Sequence, residues 1–211
     1  QPERLKLHVG QSLGRYALEE VLGEGSTAII YRSYHQMLQV PVAIKRFKPA
    51  ALQRRTGARE RILQEGQLMI RMDHPGIVRV LDIDEQDGLP YIVFEYVSEL
   101  SLQDLLENIG RLPSERIAQI GAQVTAALAA AHGAGLLHRD VKPENILVRK
   151  DGQVKLADFG IATCLLPDGR AGDELAQAGL ISGTPQYISP EQISTPAQID
   201  YRADIYSLGA T

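Results

Sequence analysis

The sequence is poor in cysteine, with Cys164 alone among 211 residues. A single thiol can neither close an internal disulfide nor complete a zinc cluster, so nothing here asks for an oxidising compartment, and Cys164 reads as a free thiol. The chain also lacks an excess of positive charge. Lys and Arg number 22 against 26 Asp and Glu, a net charge of −4, which does not suit a surface that neutralises a nucleic-acid backbone. No apolar run approaches the roughly 20 residues needed to cross a bilayer. The N-terminal stretch lacks the charged-then-apolar layout of a signal peptide. These absences point to a cytoplasmic chain with no membrane segment in view and no nucleic-acid partner. There is no internal repeat and no low-complexity tract. Because it begins at Gln1 and stops at Thr211 inside an apolar helical pattern, both ends are expected to be cuts in a longer chain.

Apolar content of 44% is enough to bury a core in one domain or in a two-lobed unit sharing a cleft. From Tyr16 to Tyr96 the chain favours strands: Tyr16 to Leu22, Ile29 to Tyr34, Val40 to Phe47, Ile77 to Ile83 and Tyr91 to Tyr96. Turn signals such as Gly23-Glu24-Gly25 and Asp87-Gly88 part them. One helix interrupts this half, from about Ala58 to Met72, with Ile62, Leu63, Met69 and Ile70 as its apolar stripe. After Ser98 the character turns helical. A helix from Leu102 to Asn108 is capped by Ser101, and a longer one opens at Pro113-Ser114-Glu115 with a stripe of Ile117, Ile120, Val124, Leu128 and Ala131. From Ala162 to Ile188 little periodicity is visible, and a loop of that length is functional or disordered.

Gly23-Glu24-Gly25-Ser26-Thr27-Ala28 fits a glycine-rich loop whose missing side chains let the backbone approach a polyphosphate, although ordinary turn glycines explain such a run almost as well. A dinucleotide fingerprint would open a helix, whereas Ile29 to Tyr34 reads as a strand, and this disfavours a Rossmann unit. Lys45, in Val42-Ala43-Ile44-Lys45, lies on an apolar strand where a lone lysine would ordinarily be solvated. As a contact to α- and β-phosphates it needs a carboxylate to orient it, and Glu65 on the intervening helix is the candidate.

His138-Arg139-Asp140-Val141-Lys142-Pro143-Glu144-Asn145 carries a resemblance. These identities at this spacing resemble the catalytic loop of eukaryotic-type Ser/Thr protein kinases, and the wording Ser189-Pro190-Glu191-Gln192 is most like bacterial members. The resemblance implies that Asp140 is the base, that Lys142 steadies the γ-phosphate and that Asn145 binds metal. Asp158, in Asp158-Phe159-Gly160, is implied as the second Mg²⁺ ligand. It also implies an adenine pocket lined by Ile30, Ala43 and Leu147, with Phe94 at its back and the hinge Glu95-Tyr96-Val97 gripping the base. Met69, Val80, His138 and Phe159 are implied as one column of packed residues.

Gly183 to Glu191 resembles the end of an activation segment, in which Thr184 is read as structural. Arg139 implies a kinase able to use a phosphorylated loop, yet between Cys164 and Ile181 there is no Ser, Thr or Tyr, which leaves Ser182 beside Thr163 and Thr184. Asp204 is implied as the anchor of the catalytic-loop backbone.

The fold expected is therefore α+β and two-lobed, protein-kinase-like. It comprises an N-terminal extension (1–13), an N-lobe and hinge (14–97) with a five-stranded antiparallel sheet and one helix, and a mainly helical, incomplete C-lobe (98–211). The function implied is transfer of the γ-phosphate of ATP, with Mg²⁺, to Ser or Thr in protein substrates. A partner or further domain would cover the incomplete C-lobe. The alternative is a truncated or regulatory kinase-like module that binds nucleotide without efficient turnover. Small-molecule phosphotransfer is disfavoured by the Thr184 to Glu191 segment, which resembles a peptide site.

Overall fold

The computed structural model describes residues 9–53, 57–159, 185–195 and 199–211. Its first half is a curled antiparallel sheet of β1 (Ser12–Leu13), β2 (Tyr16–Glu24), β3 (Ala28–His35), β4 (Val40–Phe47), β5 (Val80–Gln86) and β6 (Leu89–Glu95), in the order β1-β2-β3-β4-β6-β5. The five expected strands are all present. The two-residue β1, which pairs Ser12 with Ala17 and Leu13 with Tyr16, extends the sheet into the stretch read as an extension. Asp87 and Gly88 join β5 to β6 with φ of 56° and 73°, the doubly positive backbone of a type I′ turn that matches strand twist.

Strand alternation decides the two faces. On one face Leu13, Tyr16, Leu18, Tyr31, Val42, Ile44, Tyr91 and Val93 pack together. On the other, Ala28 and Phe47 join α2 (Ala58–Met69) through Ile62 and Met69. A second, shorter helix, α1 (Pro49–Gln53), precedes it. The expected helix to Met72 ends at Met69, because Arg71 and Met72 donate to carbonyls only three residues back, tightening the last turn. The expected strand from Ile77 begins instead at Val80. Gly76 to Val78 is engaged elsewhere: Leu156 donates to the Gly76 carbonyl and Val78 donates to that of Leu156, at 2.8 and 3.0 Å.

The second half holds β7 (Leu100–Ser101), α3 (Leu102–Ile109), α4 (Ser114–Gly133), β8 (Ile146–Val148), β9 (Val154–Leu156), α5 (Pro190–Ser194) and α6 (Arg202–Ala210), with β7, β8 and β9 forming a small sheet. Ser101 caps α3 as expected: its Oγ accepts from the Asp104 amide at 3.1 Å, and Asp104 Oδ2 accepts from the Ser101 amide at 3.0 Å. Along α4, Ile120, Val124, Leu128 and Ala131 are buried, but Ile117 is 57% exposed because its turn precedes the part of the helix that enters the core. One apolar cluster runs from α2 through Val80, Leu156 and Phe159 to α4, so the two halves share a core.

Two glycines separate packing from helix propensity. A Cβ at Gly66 in α2 would sit 2.6 Å from Ile83 Cδ1, whereas one at Gly121 in α4 meets nothing within 4 Å. Gly66→Val is expected to destabilise the fold by about 2 kcal/mol through overpacking. Gly121→Ala is expected to stabilise it by about 0.5–1 kcal/mol. Urea unfolding checks both, and a gain at Gly66 would show that α2 does not press on β5.

Candidate functional site

The cleft between the halves is assembled by sheet register. Ile30 stands opposite Lys45, and Ala43 stands opposite both Arg32 and Phe94. Directly opposed residues share a face, so Ile30, Ala43, Lys45 and Phe94 lie on one side. The glycine-rich turn between β2 and β3 is closed by the Gly25 amide donating to the Ala28 carbonyl at 2.9 Å. Lys48, which sequence reasoning did not single out, pins this turn: its Nζ donates to Glu24 Oε1 and to the Gly25 carbonyl, both at 2.7 Å.

Lys45 is almost fully buried and its ammonium pairs with Asp158 Oδ1. Glu65, the expected partner, is not the carboxylate Lys45 contacts in this structure. Glu65 stays half-exposed on α2, and among the described residues it has no hydrogen bond or ion pair. Asp158 follows β9 and meets Lys45 of β4 directly, so charge attraction and a hydrogen bond act together in this pair. Burial acts to raise the Asp158 carboxyl, but the Lys45 ammonium, by charge and hydrogen bond, holds it below the ordinary carboxylate range, helped by His138 and Lys142.

Asp140 is held from two sides. Lys142 Nζ donates to its Oδ2 at 2.8 Å and Asn145 Nδ2 donates to the same oxygen at 3.1 Å. Asn145 Nδ2 also reaches the Asp140 carbonyl at 2.7 Å from a 3-10 turn, Pro143–Asn145. Burial raises the Asp140 carboxyl above its usual value, opposed chiefly by Lys142. The loop beneath is tied down by Asp204 of α6. Its Oδ2 accepts from the His138 amide and from His132 Nε2, each at 2.8 Å, and its Oδ1 accepts from the Arg139 amide at 2.6 Å. The buried His138 ring donates from Nε2 to the Ala157 carbonyl at 2.9 Å and stacks on Phe159 with centroids 4.6 Å apart. Burial lowers the pKa of His138. Met69, Val80, His138 and Phe159, expected as one column, are each at most 3% exposed.

At the hinge, Glu95 Oε1 accepts from the Arg79 amide at 2.9 Å and from Lys155 Nζ at 2.6 Å, fixing this segment to the strand that leads to Asp158. Arg32 lies 5.3 Å from the Tyr96 ring centroid. Val97 and Leu147 are half-buried against the main core. Gln192 Nε2 donates to the Arg139 carbonyl at 2.8 Å. Lys48, Lys155, His132 and Gln192 were missed because each is a single polar residue whose partner lies far along the chain. Gly160, Thr163, Cys164, Ser182 and Thr184 fall outside the described residues.

The fold brings the Lys45 and Asp158 pair and the Asp140, Lys142 and Asn145 cluster to the junction of its two halves, an arrangement of the protein-kinase type. Residues 16–211 match the protein kinase domain family, and the chain belongs to that family. Over 202 residues it is 39% identical to a probable serine/threonine-protein kinase of Clostridium perfringens, covering 95% of this chain and 28% of that protein. Over 211 residues it is 38% identical to the serine/threonine-protein kinase pkn3 of Myxococcus xanthus, covering 96% and 38% respectively. The chain thus spans between a quarter and two fifths of these relatives. The crystal structure of the Mycobacterium tuberculosis PknI kinase domain superposes with a TM-score of 0.74 at 31% identity, over 96% of this chain and 72% of that one. Members of this family generally use ATP and Mg²⁺.

The Lys45 and Asp158 pair carries a testable pH signature. Asp158 titrates lower in the folded chain than its unfolded value of about 4. The pair therefore stabilises the fold above that pH and ceases to do so as pH falls through the native value. Lys45→Met is expected to cost about 2 kcal/mol at neutral pH by leaving a buried carboxylate unpaired. The gap from the parent should close on acidification as the orphaned Asp158 takes up a proton. Urea midpoints between about pH 3 and 7 measure this, and a pH-independent gap would show that Lys45 does not hold Asp158.

Proposed function

We propose that this chain is the catalytic portion of a protein Ser/Thr kinase, transferring the γ-phosphoryl group of ATP to Ser or Thr hydroxyls of protein substrates. The observation that carries the reading is Asp140. Its carboxylate is oriented by Lys142 at 2.8 Å and Asn145 at 3.1 Å, and the Lys45 and Asp158 pair belongs to the same cleft. Residues 14–97 are read as the nucleotide-binding lobe and hinge, and 98–211 as part of the substrate lobe.

Asp140 accepts the proton of the acceptor hydroxyl as its oxygen bonds to the γ-phosphorus and the bond from that phosphorus to the β,γ-bridging oxygen breaks, releasing ADP. The burial that raises its carboxyl makes it a better proton acceptor, and Lys142 opposes that rise. Lys142 and Lys45 supply positive charge beside the phosphates. Gly23, Glu24, Gly25, Ser26, Thr27 and Ala28 form the phosphate turn, and a Cβ at Gly23 would meet nothing within 4 Å, so its open side suits close approach of a ligand. Ile30, Ala43, Phe94, Glu95, Val97 and Leu147 are assigned to adenine.

Asn145 and Asp158 would hold Mg²⁺. Asn145 spends its Nδ2 on Asp140, and Lys45 takes only Oδ1 of Asp158. One hard oxygen of each residue is therefore left, the donor type Mg²⁺ prefers. When bound, the ion would neutralise phosphate charge. Glu65 is assigned as the partner Lys45 takes up with nucleotide in place. No helix among the described residues is long and apolar enough to cross a membrane.

The test is transfer of radiolabelled phosphate from ATP to casein. Asp140→Asn is expected to cut kcat by at least about 100-fold with nucleotide affinity retained. Asp158→Ala should weaken Mg²⁺-dependent ATP binding about tenfold or more. Transfer that persists in both variants would refute the assignment, and ATP binding without any transfer by the parent would make the chain a nucleotide-binding module.

A further inference from the structure

We propose that Gln192 is a positioning residue for the transfer reaction, its side-chain amide tying α5 to the peptide that aims Asp140; the inference rests on the kinase reading above. Gln192 sits in the first turn of α5 and faces two backbone groups at once. Its Oε1 accepts from the Ser189 amide at 3.1 Å, and its Nε2 donates to the Arg139 carbonyl at 2.8 Å. The orientation of the amide is dictated by these partners, because turning it over would set N–H against N–H on one side and oxygen against oxygen on the other.

What it holds is unusual. Arg139 has a φ of 63°, a left-handed backbone that a non-glycine residue adopts at a cost of about 1–2 kcal/mol. Such a residue persists only when its surroundings over-determine it. Here the Arg139 amide is taken by Asp204 from α6 and its carbonyl by Gln192 from α5, so one strained residue is gripped from two separate helices. The Arg139 carbonyl and the Asp140 amide belong to a single planar peptide unit. Fixing one end fixes the other, and the Asp140 amide in turn donates to His138 Nδ1 at 3.3 Å. Gln192 thereby sets the direction from which the Asp140 side chain departs. It also links that direction to the stretch following residues 160–184, so rearrangement there would be felt at Asp140 through one amide.

Gln192→Glu separates this role from simple capping. A glutamate keeps an oxygen for the Ser189 amide, as glutamine and glutamate serve alike at the third position of a helix, but it has no donor for the Arg139 carbonyl. Gln192→Ala removes both bonds. In Gln192→Glu, kcat is expected to fall about tenfold, the equivalent of a lost hydrogen bond of about 1.4 kcal/mol. KM for ATP should be unchanged, and thermal stability should fall less than in Gln192→Ala, which loses both bonds. Hydrogen exchange at the amides of residues 138–142 should quicken, with no change in β2 to β4. A kcat within about twofold of the parent together with unaltered exchange overturns the proposal. So does a thermal loss matching that of Gln192→Ala with exchange quickened throughout, which would make Gln192 merely structural. If the parent transfers no phosphate, the function proposed above falls, while the exchange measurement still decides whether Gln192 holds the 139–140 peptide.

Discussion

The buried carboxylate of Asp204 is the constraint on which the site depends. It is fully shielded from solvent, where an unpaired charge would be very costly. It is tolerated because the His138 and Arg139 amides and His132 Nε2 all point at it. Two successive amides converge on this one carboxylate, and the positive φ of Arg139 lies within that turn. The strained residue is one that the anchor holds. It places Asp140 at the mouth of the loop and leaves the Arg139 carbonyl turned away, where Gln192 meets it.

The opposite wall is built by register. Because Ile30 opposes Lys45 and Ala43 opposes Phe94, one face of the sheet presents an apolar floor beside the Lys45 cation. The other face is closed by its own apolar layer, so the sheet cannot turn over to offer the alternative set. Lys155 fastens the hinge to β9 through Glu95, and β9 leads directly to Asp158. The floor and the Asp158 carboxylate are thus referred to the same strand, and Lys45 pairs with that carboxylate from β4.

Much of this was legible in the sequence, and the parts that were not share a cause. Strand alternation located Lys45 on an apolar strand, and local spacing located Asp140, Lys142 and Asn145, because a catalytic loop is short enough for its chemistry to be written contiguously. Asp204 was expected from the same family pattern. Lys45 was expected beside Glu65 but contacts Asp158 here, and that contact depends on how β4 and the segment after β9 come together, which a linear pattern does not contain. Lys48, Lys155 and Gln192 were invisible for the same reason, since each is one polar residue whose contact depends on how distant segments dock. The strand start moved from Ile77 to Val80 because Gly76 to Val78 bonds to Leu156, a contact between segments far apart in sequence that no local propensity encodes. Ile117 fits the α4 stripe by periodicity, yet lies where the helix has not reached the core.

The two carboxylates of the cleft show how one fold can support two chemistries. Burial acts to raise both Asp140 and Asp158, yet they move in opposite directions. Asp158 is charge-paired and hydrogen-bonded with an almost fully buried lysine, and attraction there overcomes desolvation. Asp140 is paired with Lys142, but that attraction does not overcome desolvation. A carboxylate held low keeps its lone pairs for a cation, whereas one held high can take a proton and give it back. Environments that push two neighbouring carboxyls apart in this way would divide ligand from base in the reaction proposed above. The division needs no difference in residue type: it follows from which carboxylate the fold pairs more closely with its lysine, and that is settled by where the segment after β9 meets Lys45 rather than by either residue alone.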